Sequence, residues 1–284
     1  MRLSTKLAIA ISLVAGILNF SARSTAAGGL QGFAVDNTET LFSVDLTTAT
    51  ATPIGFTGQF LQGLAFSPGG SLFGTDYLGN LFSVSKTTGA TTLIGGVKVG
   101  GTSVGDIEGL TFRGTTLIGT NFSDLGGPTT VYSIDTTTGA ATAITSFSQG
   151  PVRAMTLLNP NSIDVASDSP LSQSLVNVNL LTGTNMNLGQ LPSTGAALIA
   201  ALGFGIDGNL YALDPFGNEF TLASNGAGML VGNTGGQYWL DLTIDPPGDP
   251  NGVPEPNSMA LLLTAGLGLI GLRIWQRAGG LTAT

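Results

Sequence analysis

The sequence predicts an all-β fold, a five-bladed β-propeller with four short strands in each blade, over residues 28–246. Three observations support this prediction: a strand–turn–strand motif that occurs five times, a further strand pair ahead of each motif, and an isolated strand at the end of the repeats. The motifs recur every 40 to 50 residues, and four short strands in that length is the size of one propeller blade.

The repeated motif joins an apolar strand to a threonine-rich strand through a tight turn. Its first strand reads LFSVD, LFSVS, VYSID, LVNVN and EFTLA, and these copies begin at Leu41, Leu81, Val131, Leu175 and Glu219. Three of the turns contain a glycine, Gly89, Gly139 or Gly183, which suits a hairpin position with positive φ. Apolar residues at both parities of the first strand predict strands that are covered on both faces.

The two ends of the array predict how the ring closes. Phe33–Asp36 precedes the first motif by the spacing at which Phe73–Asp76 precedes the second, so it is the second strand of a blade that lacks its first. Tyr238–Asp245 resembles the opening strands and has no partner strands after it. We expect it to complete the first blade, because closure removes two exposed sheet edges. A β-solenoid or a sandwich with internal repeats is the alternative fold.

The spacing of 50 residues between the second and third motifs is longer than the others. We attribute the extra length to an insertion at Phe122–Thr130.

Residues 1–27 have the order of a secretory signal peptide. Arg2 and Lys6 precede an apolar run of 12 residues, LAIAISLVAGIL, and small residues follow. We expect cleavage after Ala26 or Ala27, because a basic start, an apolar run and a small-residue cleavage site are the features of a secretory signal peptide. The run is too short to cross about 30 Å of hydrocarbon, which argues against a membrane helix that is retained. The folded region is therefore expected to be exported.

The other end predicts a membrane anchor. Residues 247–258 are a Pro/Gly-rich linker, and residues 259–277 contain the apolar run MALLLTAGLGLIGL followed by the basic residues Arg273 and Arg277. The run is near the lower limit of length for a transmembrane helix. Basic residues mark the cytoplasmic end of such a helix, which again places the propeller outside the membrane.

The linker contains a Pro-Glu-Pro motif directly ahead of the apolar run. Its residues are Val253, Pro254, Glu255 and Pro256. The motif, the apolar helix and the basic end together resemble the PEP-CTERM sorting signal. The resemblance implies recognition by an exosortase, an integral-membrane cysteine protease, with cleavage near the motif and release or attachment at the surface of a Gram-negative bacterium. It also implies an association with extracellular polysaccharide. The basic end departs from the family pattern, because the two arginines are spread and AGGLTAT follows them.

The repeats themselves resemble propellers of exported bacterial proteins with a "LFSVDxTTGxxTxIG" repeat. This resemblance implies a fold and no particular activity, because propellers support unrelated functions.

Composition excludes several kinds of chemistry. The chain has no Cys and no His, so neither a disulfide framework, nor a Ser-His-Asp or Cys-His nucleophile, nor a zinc site built on those residues can form. Its formal net charge is −8, and only Lys86, Lys98, Arg113 and Arg153 are basic within residues 28–252. Nucleic acid is therefore an improbable partner, because its phosphates require basic side chains.

Carboxylates remain as candidates for catalysis. The candidates are Asp36, Asp76, Asp106, Glu108 and Asp214. Three of them, Asp36, Asp76 and Asp214, end the second strand of their blades, where they would either ring one end of the channel or cap the following turn. We favour turn caps, which recur automatically with the repeat. Residues 245–252, DPPGDPNG, offer oxygen ligands but lack the spacing of a calcium loop, so neither a metal nor a cofactor is predicted.

The sequence thus favours a non-enzymatic protein of the cell surface or extracellular matrix that binds or structures polysaccharide or another surface protein. A carbohydrate-active enzyme with paired carboxylates is the alternative. A propeller that serves only as a spacer is a third.

Overall fold

A computed structural model describes residues 30–122, 127–169, 172–192, 198–235 and 238–244, and these form an all-β structure. In chain order the strands are β1 (Gln31–Asp36), β2 (Thr40–Asp45), β3 (Thr50–Phe56), β4 (Leu61–Phe66), β5 (Leu72–Asp76), β6 (Asn80–Val84), β7 (Thr91–Gly96), β8 (Lys98–Val99), β9 (Thr102–Ser103), β10 (Ile107–Arg113), β11 (Thr116–Asn121), β12 (Thr129–Ile134), β13 (Ala141–Phe147), β14 (Val152–Asn159), β15 (Ser162–Ser169), β16 (Ser172–Asn179), β17 (Asn185–Gln190), β18 (Ala201–Phe204), β19 (Leu210–Leu213), β20 (Asn218–Leu222), β21 (Gly228–Asn233) and β22 (Trp239–Ile244).

The strands form five four-stranded antiparallel sheets, which confirms the predicted five-bladed propeller. From the inner to the outer strand, blade 1 is β22–β1–β2–β3, blade 2 is β4–β5–β6–β7, and blade 3 is β10–β11–β12–β13. Blade 4 is β14–β15–β16–β17 and blade 5 is β18–β19–β20–β21. Each inner strand contacts the inner strands of both neighbouring blades, so the five blades close into a ring.

The ring closes as the sequence predicts. The strand β22 pairs antiparallel with β1, and Leu242 lies opposite Ala34. The Trp239 ring packs edge-on against Phe42, with the ring centroids 4.9 Å apart. The last described strand therefore holds the first blade together.

The hydrophobic core is divided among the interfaces between blades, with one buried cluster between each neighbouring pair. The first residue of the repeated motif is fully buried in all five blades, as Leu41, Leu81, Val131, Leu175 and Glu219. These strands are covered on both faces, as their sequence predicts.

Neighbouring blades also meet at their outer ends through glycine. Gly89 has φ 77°, and a Cβ atom there would lie 2.5 Å from the carbonyl oxygen of Gly55 in blade 1. The same contact recurs where Gly139 meets the carbonyl oxygen of Gly96, at 2.7 Å. The turn glycine of the motif is thus required twice, by its backbone conformation and by the close approach of the preceding blade.

The insertion between the second and third motifs is only partly where we predicted it. Part of the extra length lies near Phe122–Thr130, and part forms the hairpin of β8 and β9 in the connection 97–106, which is longer than the corresponding connection 57–60. The hairpin sequence KVGGTS lacks the apolar alternation by which a strand is detected, so the sequence analysis missed it.

The propeller has two distinct channel openings. The inner strands all run in one direction, so their first residues surround one opening, the upper mouth, and their last residues surround the other, the lower mouth. A cavity of about 330 Å³ lies in the upper mouth and one of about 270 Å³ in the lower mouth. The apolar ends of the inner strands line the lower cavity, including Phe66, Phe112, Leu157, Phe204 and Ile244.

The predicted signal peptide, the Pro-Glu-Pro motif and the apolar segment 259–277 lie outside the described residues. Within the described residues, no helix has the length and apolar character needed to cross a bilayer.

Candidate functional site

Three of the candidate carboxylates cap turns, as the sequence analysis favours. Asp76 Oδ1 accepts hydrogen bonds from the backbone N–H groups of Leu78 (3.0 Å) and Asn80 (2.8 Å). Asp214 accepts equivalent bonds from Phe216 and Asn218, each at 2.9 Å.

Asp36 does the same for the first blade, where its Oδ1 accepts from the backbone of Thr38 and Thr40, each at 3.0 Å. All three carboxylates hold the turn between the second and third strands. They are buried beneath their turns, so they do not form a ring of carboxylates around an open channel.

The other two candidates, Asp106 and Glu108, lie in different surroundings. Asp106 lies in the connection just ahead of β10, and its backbone carbonyl accepts a hydrogen bond from Phe122 N at 2.9 Å. Glu108 is the second residue of β10 and lines the upper mouth. It is therefore the one predicted carboxylate that the fold brings to the cavity.

The wall of the upper mouth is built from corresponding positions of different blades. Gln62, Glu108, Arg153 and Leu240 are the second residues of four inner strands, and Ala200 stands at the corresponding place just ahead of β18. These residues are far apart in sequence and converge because the ring closes. Gln62 Nε2 donates a hydrogen bond to Glu108 Oε1 at 3.4 Å.

Arg153 is held between two carboxylates. Its Nε donates to Asp168 Oδ2 at 2.7 Å, and its Nη1 lies 3.9 Å from Glu108 Oε2. Gln173 Nε2 donates to the other oxygen of Asp168 at 2.9 Å. The guanidinium also lies 5.2 Å from the centre of the Phe122 ring, a cation–π contact. The guanidinium is thus fixed in position at the mouth while remaining partly exposed.

Aromatic side chains form one side of the rim. Phe216 and Tyr238 pack edge-to-face with centroids 6.2 Å apart, and each is about half exposed, at 53% and 47%. Phe216 is presented by the turn that Asp214 caps. A fixed, exposed aromatic pair beside polar groups provides both an apolar platform and hydrogen-bonding partners.

A buried carboxyl, Asp241, lies at the next position of β22 beyond Leu240 of the mouth. Its Oδ2 accepts from Leu64 N of β4 at 2.5 Å and its Oδ1 from Leu242 N at 2.8 Å, so it joins the inner strands of blades 1 and 2. Burial raises the pKa of Asp241 well above its ordinary value, and the charge of Glu108 raises it further, against the lowering by the two backbone donors.

Asp241 was not among the candidates predicted from the sequence, although it stands out when the inner strands are aligned. The corresponding residues of the other blades are small: Gly63, Gly109, Ala154 and Ala201. A Cβ atom on Gly63 would lie 2.5 Å from Thr75 Oγ1. The sequence signal is therefore a carboxyl at a position that is glycine or alanine in the other four blades.

A second buried carboxyl, Glu219, replaces the leucine or valine of the repeated motif. It is fully buried, and neither carboxyl oxygen has a hydrogen-bond partner. Burial raises the pKa of Glu219 to about 8, with a smaller contribution from the negative charge of Asp45. It is not among the residues that line the upper cavity, so we assign it no part in the site.

The described residues contain no group of three or more Asp, Glu, His or Cys side chains that could hold a metal ion. The candidate oxygen ligands of segment 245–252 lie outside the described part of the chain.

Comparison with known proteins establishes the fold. No protein-family model matches the chain, and no curated protein matches it in sequence. A chain of the nidogen/laminin complex is similar in structure, with a TM-score of 0.54, 12% identity and coverage of 77% of this chain and 99% of that one. A gluconolactonase from Xanthomonas campestris has a TM-score of 0.50 and 12% identity, covering 74% of this chain and 78% of that one.

These similarities, at 12% identity, place the chain among β-propeller proteins by fold alone. Because one propeller fold supports many unrelated activities, the function has to be inferred from the upper mouth.

Proposed function

We propose that this chain is an exported, non-enzymatic protein of the cell surface or extracellular matrix that is sorted by an exosortase and binds extracellular polysaccharide at the upper mouth. The observation that supports binding is the convergence of Gln62, Glu108 and Arg153 beside the exposed rings of Phe216 and Tyr238. Sugars present hydroxyl groups and apolar C–H faces together, and this combination of groups matches both.

Export and sorting are supported by the sequence of the two ends. Residues 1–27 have the order of a signal peptide, and Val253–Pro256 precedes an apolar run with Arg273 and Arg277 beyond it. We expect the mature protein in its host to begin near Gly28 and to end near Val253–Pro256. Intact-mass measurement with C-terminal peptide sequencing tests this. A mature chain that retains residues 259–284 would contradict processing and leave a membrane-anchored propeller.

Binding at the mouth is tested by a variant at its rim. We expect Phe216→Ala to weaken binding of polysaccharide purified from the host matrix by about two- to twelvefold, because an aromatic contact contributes roughly 0.5–1.5 kcal/mol. Leu78→Ala is a matched control. Leu78 occupies the same position in the Asp-capped turn of blade 2 and is similarly exposed, at 59%, but it does not line the upper cavity.

Equal affinities of the two variants and the wild type would exclude the mouth as the binding site. If the wild type binds no matrix polysaccharide at all, the propeller is a spacer, the third possibility that the sequence left open.

A carbohydrate-active enzyme is the second candidate, because Glu108 and Asp241 provide a pair of carboxyls in one region of the channel. A raised pKa is what a general acid requires. Asp241, however, accepts two backbone hydrogen bonds and is almost fully enclosed, which favours a structural role. The binding reactions are therefore also assayed for new reducing ends, which form when a glycosidic bond is hydrolysed. Formation of reducing ends by the wild type but not by Asp241→Asn would establish that the protein is an enzyme.

A further inference from the structure

We propose that the upper mouth selects an uncharged sugar residue at the end of a glycan chain, rather than uronate residues or the interior of a chain. This inference rests on the proposed glycan-binding function and adds the class of sugar and the mode of binding. It follows from the charges, the hydrogen-bonding groups and the shape of the mouth.

The charges of the mouth disfavour an acidic sugar. Arg153 is the only basic residue among the described residues that line the cavity, and it is already paired with Asp168 and Glu108. The three side chains together carry more negative than positive charge. A uronate carboxylate would therefore approach two carboxylates that compete for the same guanidinium, and like charges at close range are strongly unfavourable.

The hydrogen-bonding groups of the mouth require a donor from the ligand. Glu108 lines the cavity with a carboxylate, which only accepts hydrogen bonds, and Gln62 Nε2 is already directed to it. A hydroxyl group donates to such an acceptor, whereas an ionised carboxylate only accepts. A sugar hydroxyl bound beside Glu108 is therefore hydrogen-bonded, whereas a uronate carboxylate at the same place is not.

The shape of the mouth favours a chain end. The upper and lower cavities have no lining residue in common. The mouth is therefore a cavity of its own at one end of the channel, not part of one continuous cavity that runs through it. Its volume of about 330 Å³ is at the lower end of the range for ligand pockets, so it has room for a terminal sugar but not for a chain that enters and leaves.

The test uses the full chain in calorimetric titrations with two sets of oligosaccharides. One set contains uncharged oligomers of glucose, galactose and mannose, each of two, four and six residues; the other contains galacturonate oligomers of the same lengths. We expect an uncharged series to bind with one site per oligosaccharide and with an affinity that does not change with length beyond about twofold. Galacturonate oligomers are expected to bind at least about tenfold more weakly at low salt, with the difference narrowing as salt screens the repulsion.

The variant Glu108→Gln identifies the charge responsible. Removing this carboxylate relieves repulsion while the side chain keeps its size, so the preference for uncharged oligomers should fall about fivefold or more. The control Leu78→Ala should retain the wild-type preference. Circular dichroism melting shows whether Glu108→Gln remains folded.

The outcomes separate this inference from the proposed function. Tighter binding of galacturonate, or an affinity that rises steadily with oligomer length, would overturn the selection of an uncharged chain end while leaving polysaccharide binding intact. The selection of an uncharged chain end would also be overturned if the host polysaccharide bound in a Phe216-dependent manner while no uncharged oligomer bound. Failure of both oligomer sets and of the host polysaccharide would overturn the proposed function as well.

Discussion

Replacing Glu219 with leucine is expected to increase the free energy of unfolding by about 2–3 kcal/mol at pH 7. Four blades already place leucine or valine at this buried position, so the substitution restores the residue that the repeat prefers. In the wild type the carboxyl is buried with both oxygens unpartnered, and burial raises its pKa to about 8. Each unit by which folding raises a pKa corresponds to about 1.4 kcal/mol between the protonation states. At pH 7 the folded carboxyl is still largely protonated, so only the interval between pH 4.5 and pH 7 contributes to the penalty.

The same carboxyl makes stability depend on pH in a defined direction. Below pH 4.5, the ordinary value for the group, it is protonated in the folded and unfolded states, and its contribution to stability is constant. Between pH 4.5 and about 8 the unfolded chain releases the proton while the folded protein keeps it, so stability falls as pH rises. Above pH 8 both states are ionised and the penalty is constant.

Urea unfolding of the wild type and Glu219→Leu at pH 5, 7 and 9 measures this effect. The gain from the substitution should be smallest at pH 5 and largest at pH 9. Glu219→Gln is the control that removes the titration but keeps a buried polar group, so it should flatten the pH dependence with less gain in stability. Asp241, whose pKa is also raised, should leave a residual slope of the same sign. An unchanged slope in Glu219→Leu would mean that the carboxyl has a charged partner or is solvated.

The sequence predicts the blades well because each blade depends on local information. A period of 40 to 50 residues, apolar strands and turn glycines are all visible within one repeat. The turn caps Asp36, Asp76 and Asp214 were predictable for the same reason, because an aspartate directly ahead of a turn accepts a hydrogen bond from the backbone N–H group two residues further on.

The site was less predictable because it depends on the closed ring. Gln62, Glu108 and Arg153 belong to three blades, and no sequence spacing shows that they meet. Of these only Glu108 was a candidate from the sequence. Asp241 and Glu219 show a different limit: both are exceptions to an apolar or small position of the repeat, and a register alignment of the blades finds them, but only the structure shows that they are buried.

Removing the closing strand is expected to have the largest effect of any change, a loss of more than about 5 kcal/mol, which is comparable to the whole stability of a typical domain. A chain that ends at residue 238 lacks Trp239–Ile244, so β1 loses its inner partner. The cluster shared with blade 5 loses Trp239 and Leu242, and the cluster shared with blade 2 loses Leu240. It would also expose the edge of β1 to pairing with other chains.

Two matched chains separate ring closure from simple shortening. A chain that ends at Ile244 keeps β22 and should melt cooperatively at the temperature of the full chain. In the second, the strand WLDLTI is removed from the end and placed directly ahead of β1 through the turn SPGGS, which joins β4 to β5 in blade 2. Blade 1 then has the same connectivity as the other four blades. The fold should be recovered because every strand regains its partner, although a strand from the far end of the chain no longer closes the ring.

Circular dichroism melting compares the three chains. Cooperative melting of the chain lacking β22 at an unchanged temperature would show that the other strands suffice, whereas failure of the rearranged chain alone would show that the covalent order, and not only the pairing, stabilises the ring.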